Sequence, residues 1–335
     1  MAPSPTFWSI WTHFHPPKPS FTEKNVPDLQ GKVYLVTGSN TGIGKEVARI
    51  LYAKNAKVYM ACRSLEKASN AIRDIENAAP TSKGELVFLA LDLADLNSVK
   101  SAAETFFSQE SKLHVLFNNA GVAVSPVSPP PKTTQGYDLS LGVNCIGTFL
   151  FTRLVTPLLV NTSKTSAPSS VRVVWLSSFA LEFFGARDTG VDLDNLDYHT
   201  AKPAAERYGI SKAGVWALGI EFARRHREDG ILSVPVNPGN LSSELARDQP
   251  AMLRLVSRMV GYPPVLGAYT ELFAAFDPQV AEERPGDWVA PFGRFCPLRQ
   301  DLIKATKLES EGGTAGAYKF WEWTENQVKA YLNVV

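Results

Sequence analysis

A tyrosine and a lysine lie four positions apart at Tyr208 and Lys212, in a segment whose pattern predicts a helix over 205–227. Residues at this spacing share one helical face. A phenol ionises only near pH ~10, so it is a poor acid or base unless a neighbouring ammonium favours the phenolate. Such a pair could hand a proton to a carbonyl oxygen. An ordinary helix surface can show the same spacing, so the surrounding motifs must decide.

A glycine-rich turn lies between a predicted strand at 32–37 and a predicted helix at 44–53. Glycines let the backbone approach a pyrophosphate closely, and the helix that follows offers free N–H groups and the positive end of its dipole. A simple turn is the alternative, but the strand–turn–helix placement favours dinucleotide binding. The predicted cofactor contacts in this turn are Gly38, Ser39, Asn40, Thr41, Gly42, Ile43 and Gly44.

The spacing of the turn, Thr-Gly-x-x-x-Gly-Ile-Gly at 37–44, differs from the Gly-x-Gly-x-x-Gly of many dinucleotide folds. It resembles the short-chain dehydrogenase/reductase family, and later motifs extend the resemblance over about residues 30–245. The order of the motifs is most similar to the retinol-dehydrogenase-like branch and its fungal relatives. The resemblance implies a Rossmann-like fold, a nicotinamide cofactor and hydride transfer.

The end of the second predicted strand indicates which nicotinamide cofactor binds. An acidic residue there would hold the 2′-hydroxyl of NAD, but this chain has Cys62 followed by Arg63. A guanidinium can grip a phosphate with two parallel hydrogen bonds, so Arg63 predicts NADP(H), with NAD(H) as the alternative. Arg63 as a mere cap on a solvated strand end is the other interpretation. The family's second basic position, just before Gly42, holds Thr41, which counts against NADP(H).

Further cofactor contacts follow from the resemblance. Asp92 and Leu93 match the position that borders the adenine, and an Asn-Asn-Ala-Gly motif follows the fourth predicted strand. Pro238 and Gly239 match a motif that faces the nicotinamide amide, and Ser243 fits the hydroxyl residue that comes after it. The members of the Asn-Asn-Ala-Gly motif are Asn118, Asn119, Ala120 and Gly121. Asparagine and glycine are also common turn formers, which is the alternative here.

The resemblance also assigns four catalytic roles. Ser178 binds the substrate oxygen, with Ser177 as the competing candidate, while Tyr208 donates the proton and Lys212 supports it. Asn144 holds a water molecule that links the lysine to solvent. An asparagine in an apolar helix costs stability unless it is hydrogen-bonded, which favours such a role. Tyr208 follows Ser178 by thirty positions, a longer gap than in many family members.

Strand-like runs alternate with helix-like runs from residue 31 onward, which predicts βαβ units with right-handed crossovers. The expected fold is α/β, a single Rossmann-like doubly wound parallel sheet of about seven strands with helices on both faces. Residues 1–30 are expected to form an extension, 31–300 the NADP-binding catalytic domain, and 301–335 a helical extension of that domain. Strands are predicted at 32–37, 57–61, 85–91, 113–118, 171–177, 231–237 and 288–291, and helices at 44–53, 65–78, 94–108, 137–159, 205–227, 241–260, 267–275 and 314–332.

Composition excludes several classes of function. The net charge of +1 gives no broad field that would attract nucleic acid or an anionic membrane. Cys62, Cys145 and Cys296 are too dispersed for a zinc site or a disulfide framework and fit a reducing compartment, so we expect a cytoplasmic protein without metal. His13 and His15 are expected in a solvated tail. No apolar run reaches the roughly 20 residues of a membrane span.

The beginning of the chain carries four aromatic residues, Phe7, Trp8, Trp11 and Phe14. One interpretation is a short amphipathic piece that touches a membrane, a partner or the substrate mouth. The other, which we favour, is an aromatic extension packed on its own domain. Weak peripheral association with the endoplasmic-reticulum membrane would follow from the first interpretation only.

The sequence therefore predicts an NADP(H)-dependent oxidoreductase that transfers a hydride between the nicotinamide and a carbonyl or alcohol group of a small lipophilic molecule. The expected pocket walls are the loop at 179–187 with Phe183 and Phe184, the connection 183–203 and the helix near 252–262. Fungal relatives often serve natural-product biosynthesis, which extends to this chain by analogy only.

Other functions remain open on the same fold. The first alternative is a non-catalytic NADP-binding regulatory protein, against which the intact Ser178, Tyr208 and Lys212 argue. Reduction of a C=C bond, epimerisation, or a membrane-associated interaction protein are the others. The helices predicted at 137–159 and 205–227 form dimer faces in many relatives, which makes a homodimer the implied candidate assembly.

Overall fold

Within the part of the chain that the structure describes, eight strands form one sheet with helices on both faces. The computed structural model describes residues 5–123, 127–242, 261–282 and 287–332. The strands are β1 Val33–Thr37, β2 Lys57–Cys62, β3 Glu85–Ala90, β4 Val115–Asn118, β5 Arg172–Leu176, β6 Leu232–Val236, β7 Asp287–Ala290 and β8 Arg294–Pro297. The helices are α1 Phe7–Phe14, α2 Gly42–Ala53, α3 Leu65–Ala78, α4 Leu96–Gln109, α5 Leu139–Ser163, α6 Ala180–Phe184, α7 Ala204–Arg225, α8 Pro264–Phe276, α9 Gln300–Thr306 and α10 Gly316–Val328.

The strand order is β3-β2-β1-β4-β5-β6-β7-β8, with parallel pairing from β3 through β7 and antiparallel pairing between β7 and β8. After β3 the chain crosses back over β1 to form β4, so the order in which strands are added reverses between β1 and β4. In open α/β sheets, ligands bind at the carboxyl ends of the strands at this switch point. The predicted α/β fold is confirmed. The structure adds β8, an antiparallel strand at the edge of the sheet, which the sequence did not predict.

Two apolar cores lie on opposite faces of the sheet, because successive side chains of a strand point to opposite sides. Leu35 and Tyr59 belong to the core under α4, α5, α7 and α10, whereas Val36 and Met60 belong to the core under α2, α3 and α8. All four side chains are at most 1% exposed. β1 and β2 are therefore buried on both faces, as their continuous apolar runs predict.

Helix α5 carries an irregularity at its beginning. Residues Gly142–Gly147 form a π-helical turn between the α-helical segments Leu139–Leu141 and Thr148–Ser163. The sequence predicted one regular helix over 137–159. π-Turns often occur at functional sites, and this one contains Asn144.

An ion pair joins the beginnings of α5 and α7. The Asp138 carboxylate accepts hydrogen bonds from the first N–H groups of α5 and pairs with the Arg207 guanidinium at 2.6 Å. Both side chains are less than 10% exposed, so the pair fixes the two helices against each other in a water-poor environment.

The carboxyl-terminal helix α10 lies across α5 and α7. Phe149 of α5 and Trp321 of α10 meet edge to face at 4.7 Å, and Arg153 pairs with Glu325 at 2.7 Å. α5 is also the one helix in the described ranges that is long and apolar enough to cross a membrane by length and composition. Its apolar window is 83% buried inside the protein, which is the arrangement of a core helix.

The helix predicted at 241–260 falls mostly outside the described residues, as does the predicted pocket wall near 252–262. Leu241 forms an isolated parallel bridge with Tyr262. Phe21, Val26 and Leu29 of the amino-terminal segment pack into the core that contains α2 and α8.

Candidate active site

The glycine turn places the beginning of α2 at the carboxyl end of β1. Gly38 and Gly42 have φ angles of +66° and +57°, which side chains other than glycine rarely adopt. A Cβ on Gly44 would lie 2.5 Å from the side-chain amide nitrogen of Asn119, in the loop after β4. This loop can therefore come so close to position 44 only because the residue there is a glycine. The Thr41 side chain does not cap α2, so the first N–H groups of the helix remain for an anionic ligand. These donors fit the pyrophosphate of a dinucleotide.

The Asn-Asn-Ala-Gly motif ties β4 to the glycine turn. The Asn119 amide donates to the carbonyl oxygens of Thr37 and Gly38 at 2.7 and 3.3 Å, and the Ala120 N–H donates to the Thr37 hydroxyl at 2.9 Å. The Asn118 amide donates to the hydroxyl of Thr152 in α5 at 2.8 Å. These bonds fix the conformation of the crevice between the carboxyl ends of β1 and β4.

The residues predicted to meet the adenosine end lie at the carboxyl ends of β2 and β3. Arg63 is exposed directly after β2, whereas the neighbouring Cys62 thiol is buried and burial raises its pKa to about 11. The Asp92 carboxylate accepts from the Ala94 N–H at 2.9 Å, and Leu93 is 6% exposed. Arg63 is thus a cation available to a phosphate at the rim of the crevice.

The two serines that close β5 have different environments. The Ser177 hydroxyl is buried and donates to the Lys212 carbonyl oxygen at 2.7 Å, so it joins β5 to α7. Ser178 is partly exposed, and its side chain hydrogen-bonds with that of Tyr208. The geometry favours Ser178 over Ser177 as the serine that meets a substrate.

Tyr208 and Lys212 lie on the same face of α7, next to the end of β5. The Lys212 ammonium is 5.7 Å from the centre of the Tyr208 ring and donates to the Leu176 carbonyl oxygen at 2.7 Å. Lys212 is only 4% exposed. The structure therefore brings Ser178, Tyr208 and Lys212 together at one point of the crevice.

The ionisation of these groups in the protein alone differs from the expectation. Burial raises the pKa of Tyr208 to about 12, and the hydrogen bond with Ser178 opposes this only in part. Burial also lowers the pKa of Lys212 to about 8, against the opposing influence of Cys145 and Glu271. The sequence predicted that the ammonium would lower the tyrosine's pKa. The shift caused by burial runs in the opposite direction, because loss of hydration disfavours both charged forms, and the oxidised nicotinamide that the prediction also invoked would act with the ammonium.

Asn144 holds the loop after β4 in place beside the lysine. Its side-chain oxygen accepts from the Val122 N–H at 2.8 Å, and its amide donates to the Val122 carbonyl oxygen at 3.0 Å and to the Ser211 hydroxyl at 2.8 Å. A Cβ on Gly121 would lie 3.1 Å from the Lys212 ammonium nitrogen, so this loop touches both residues. Asn144 is therefore close to Lys212, and its own hydrogen-bonding groups are satisfied by protein.

The loop after β6 completes the crevice. The Asn237 side chain accepts from the Gly239 N–H at 3.1 Å, and Gly239 has a φ angle of +95°. A Cβ there would lie 3.0 Å from Pro291, so Pro238 and Gly239 turn tightly against the segment after β7. Ser243, predicted to follow this motif, lies outside the described residues.

Helix α1 packs on the domain beside this site; packing on the domain was the favoured interpretation of its aromatic residues, and contact with the substrate mouth belonged to the other. His13 is 3% exposed and stacks on Phe179 with ring centres 4.3 Å apart, so its placement in a solvated tail was wrong. Phe179 immediately follows Ser178. The contact joins residues far apart in the sequence, and only the aromatic stripe of α1 gave any sign of it.

A buried carboxyl group also escaped the sequence analysis. Glu271 in α8 is fully buried, and neither of its oxygens has a hydrogen-bond partner among the described residues. Burial raises its pKa to about 8, and the charge of Lys212 opposes the rise. Glu271 is the one charged residue within Pro264–Phe276, which was the available signal.

The long connection between β5 and α7 borders a cavity of about 550 Å³. Apolar and charged side chains share its lining, including Phe183, Phe184, Ile210, Arg187, Lys202 and Glu206. Phe184 also packs directly on Gly209, where a Cβ would lie 2.3 Å from its ring. The connection therefore lies against the residue that follows Tyr208.

Known proteins resemble this chain in sequence and in fold. A family model described as short chain dehydrogenase matches residues 32–182. A short-chain dehydrogenase/reductase from Phomopsis amygdali is 52% identical over 329 residues, 97% of each chain. The short-chain dehydrogenase/reductase bet4 from Neocamarosporium betae is 50% identical over 325 residues, 97% of this chain and 94% of its own.

The fold has solved counterparts. The crystal structure of 3-ketoacyl-(acyl-carrier-protein) reductase from Brucella melitensis, complexed with NADH, superposes with a TM-score of 0.57 at 22% identity. The match covers 76% of this chain and 94% of that one. At this identity the likeness concerns the fold.

Proposed function

The chain belongs to the short-chain dehydrogenase/reductase family, and from this premise we propose that it is an NADP(H)-dependent oxidoreductase acting on a carbonyl or alcohol group of a lipophilic small molecule. The observation that carries the proposal is the meeting of Ser178, Tyr208 and Lys212 at the end of β5. A serine, a phenol and an ammonium in this order can bind, protonate and electrostatically support a carbonyl oxygen.

The catalytic residues have distinct tasks in this proposal. The nicotinamide supplies or accepts a hydride when it is bound. The Ser178 hydroxyl donates to the substrate oxygen, and Tyr208 gives that oxygen its proton during reduction or removes it during oxidation. Lys212 stabilises the phenolate that remains after proton transfer. Asn144 positions the loop that borders Lys212, and a water molecule held near it would connect the lysine to solvent.

NADP(H) is the proposed cofactor because of the charge at the end of β2. Arg63 is exposed there and no acidic residue precedes it, so a 2′-phosphate meets attraction and no repulsion. The N-terminus of α2 would hold the pyrophosphate, with Gly38 and Gly42 allowing close approach.

Apolar side chains next to the site suggest the substrate class. Phe183 is 44% exposed, and Phe184 lines the cavity beside α7. A medium-sized lipophilic carbonyl compound would suit such walls. A role in natural-product biosynthesis belongs to the proposal by analogy with fungal relatives. A cytoplasmic location belongs to it because the three cysteines are buried thiols, which suits a reducing compartment. Helix α10 packs across both α5 and α7, so we do not propose that these two helices form a homodimer interface.

A turnover assay tests the proposal and its alternatives. The full chain should oxidise NADPH in the presence of some members of a panel of aromatic and alicyclic ketones and aldehydes. With deuterium at C4 of NADPH, the product should carry the label on the carbinol carbon. Label on a former alkene carbon would indicate C=C reduction, and NADPH binding without oxidation by any carbonyl would favour the regulatory protein.

A further inference from the structure

An exposed aromatic stripe covers one side of α1. Phe7, Trp8, Trp11 and Phe14 are 70%, 74%, 49% and 43% exposed, and they account for half of the large hydrophobic residues exposed in the described ranges. Their positions place them along one face of the helix. The sequence of α1, Phe-Trp-Ser-Ile-Trp-Thr-His-Phe, contains no aspartate, glutamate, lysine or arginine.

The opposite side of α1 is fixed to the protein, so the stripe is held in a defined orientation. His13 is buried against Phe179, and the Phe14 ring meets Phe179 edge to face at 6.1 Å. The Arg294 guanidinium donates to the Thr12 carbonyl oxygen at the end of the helix. At its beginning, the Thr6 side chain accepts from the Ser9 N–H at 3.1 Å.

Aromatic contacts connect the stripe with the residue next to Ser178 in the candidate active site. Phe179 contacts both Phe14 and Phe183, with ring centres 6.1 and 5.4 Å apart, and Phe183 is 44% exposed. Phe179 itself follows Ser178. A surface that covers the stripe would therefore lie close to Ser178.

The exposed area of the stripe distinguishes a protein partner from a membrane as the surface that covers it. At the observed exposures, the four α1 side chains present roughly 350–600 Å² of aromatic surface. This matches the largest apolar patches of monomers, which are often functional, and falls below the ~800 Å² per partner of a standard protein interface. Tryptophan and phenylalanine are residues of membrane–water interfaces, and an uncharged helix face can enter that region without burying a charge.

We propose that α1 docks the protein on a lipid bilayer, with Phe7, Trp8 and Trp11 inserted in the interfacial region and the active-site mouth facing the lipid. The docked orientation delivers lipophilic substrates directly from the bilayer to Ser178 and Tyr208. This last step rests on the proposed function, whereas the docking itself does not. No anionic lipid is required, because the stripe carries no positive charge of its own.

Sedimentation with sucrose-loaded vesicles of pure phosphatidylcholine tests the docking on the full chain, without cofactor or substrate. The test variant is Trp8→Ala/Trp11→Ala. The control is Leu65→Ala/Tyr318→Ala, which removes side chains that are 59% and 38% exposed on other helices. Wild type and control should bind the vesicles, and the test variant should bind at least about tenfold more weakly. Unchanged melting curves would show that all three proteins are folded.

Three results would overturn the proposal. The wild type could stay in the supernatant at millimolar lipid, or the test variant could bind as well as the wild type. Alternatively, equilibrium ultracentrifugation without lipid could show self-association that Trp8→Ala/Trp11→Ala abolishes, which would make a second copy the occupant. NADPH oxidation in lipid-free solution tests the proposed chemistry separately, so failure of one proposal leaves the other intact.

Discussion

The ammonium of Lys212 lies 5.7 Å from the centre of the Tyr208 ring, and it is held there by the hydrogen bond that it donates to the Leu176 carbonyl oxygen. The bond fixes the lysine to the end of β5, where Ser178 begins the next loop. Because both side chains lose hydration in this position, their neutral forms are favoured in the protein alone. A bound oxidised nicotinamide would add a positive charge that favours the ionised form of the tyrosine.

Removing the phenolic oxygen should therefore abolish the reaction. We expect Tyr208→Phe to lower kcat by at least about a thousandfold, because the substitution removes the group that gives the substrate oxygen its proton in the proposed reaction. NADPH binding, followed by nucleotide fluorescence, should survive. Tyr318→Phe on α10 is the control, since Tyr318 is far from the crevice. Substantial activity in Tyr208→Phe would exclude the proposed proton donor.

Cofactor binding should move the ionisation of the same residue. Without ligand, burial holds the pKa of Tyr208 near 12. We expect saturating NADP⁺ to lower it, because the positive pyridinium favours the phenolate, whereas NADPH should not. The difference in phenolate absorbance near 295 nm between wild type and Tyr208→Phe measures the shift. An equal pKa with and without NADP⁺ would mean that the ring binds elsewhere.

The two serines should separate stability from catalysis. Ser178→Ala is expected to lower kcat by on the order of 10²–10³ with little change in melting temperature, because it removes a donor to the developing charge. Ser177→Ala should cost about 1–3 kcal/mol of unfolding free energy, since it leaves the Lys212 carbonyl oxygen without its 2.7 Å bond. Chemical denaturation and steady-state rates for both variants check this. A loss of kcat in Ser177→Ala together with a loss of stability in Ser178→Ala would exchange the roles assigned to the two serines.

Discrimination between NADPH and NADH should depend on Arg63. We expect Arg63→Ala to raise the KM for NADPH by about 10–100-fold, the loss of one charge-assisted phosphate contact, and to leave the KM for NADH nearly unchanged. Arg73→Ala, an exposed arginine on α3, is the matched control. If Arg63→Ala weakens the binding of NADPH and NADH equally, the guanidinium does not recognise the 2′-phosphate.

The sequence predicted the parts of the fold that local patterns determine. The runs at β1 and β2 and the glycine turn between β1 and α2 lie within a few residues of their predicted positions, because burial on both faces and positive φ angles leave strong local signals. The meeting of Tyr208 and Lys212 on one helical face also followed from spacing alone.

What the sequence did not predict depends on contacts between distant segments. The burial of His13 needs Phe179, and the packing of α10 over α5 and α7 needs Trp321 against Phe149. The rise of the tyrosine's pKa on burial was not predicted, because spacing reveals a neighbouring charge but not the loss of hydration around it. Loss of hydration is a property of the folded site.

The buried carboxyl of Glu271 makes the stability of the protein depend on pH. Its pKa rises from an ordinary value of 4.5 to about 8 in the folded protein, chiefly through burial, so between these values the folded state retains a proton that the unfolded chain releases. Stability from this group should therefore fall as pH rises from about 4.5 to about 8. Glutamine has the same shape and no charge.

Glu271→Gln should consequently be the more stable protein at pH 8.5, with a melting temperature higher by on the order of 5 °C, and should match the wild type at pH 5. Glu228→Gln, which alters an exposed carboxylate, should track the wild type throughout. Thermal melts from pH 5 to pH 9 make the comparison. A Glu271→Gln protein that melts lower than the wild type at pH 8.5 would show that the ionised carboxylate is stabilised in the fold, and the nearest cation to supply that stabilisation is Lys212, whose charge already opposes the rise in the pKa of Glu271.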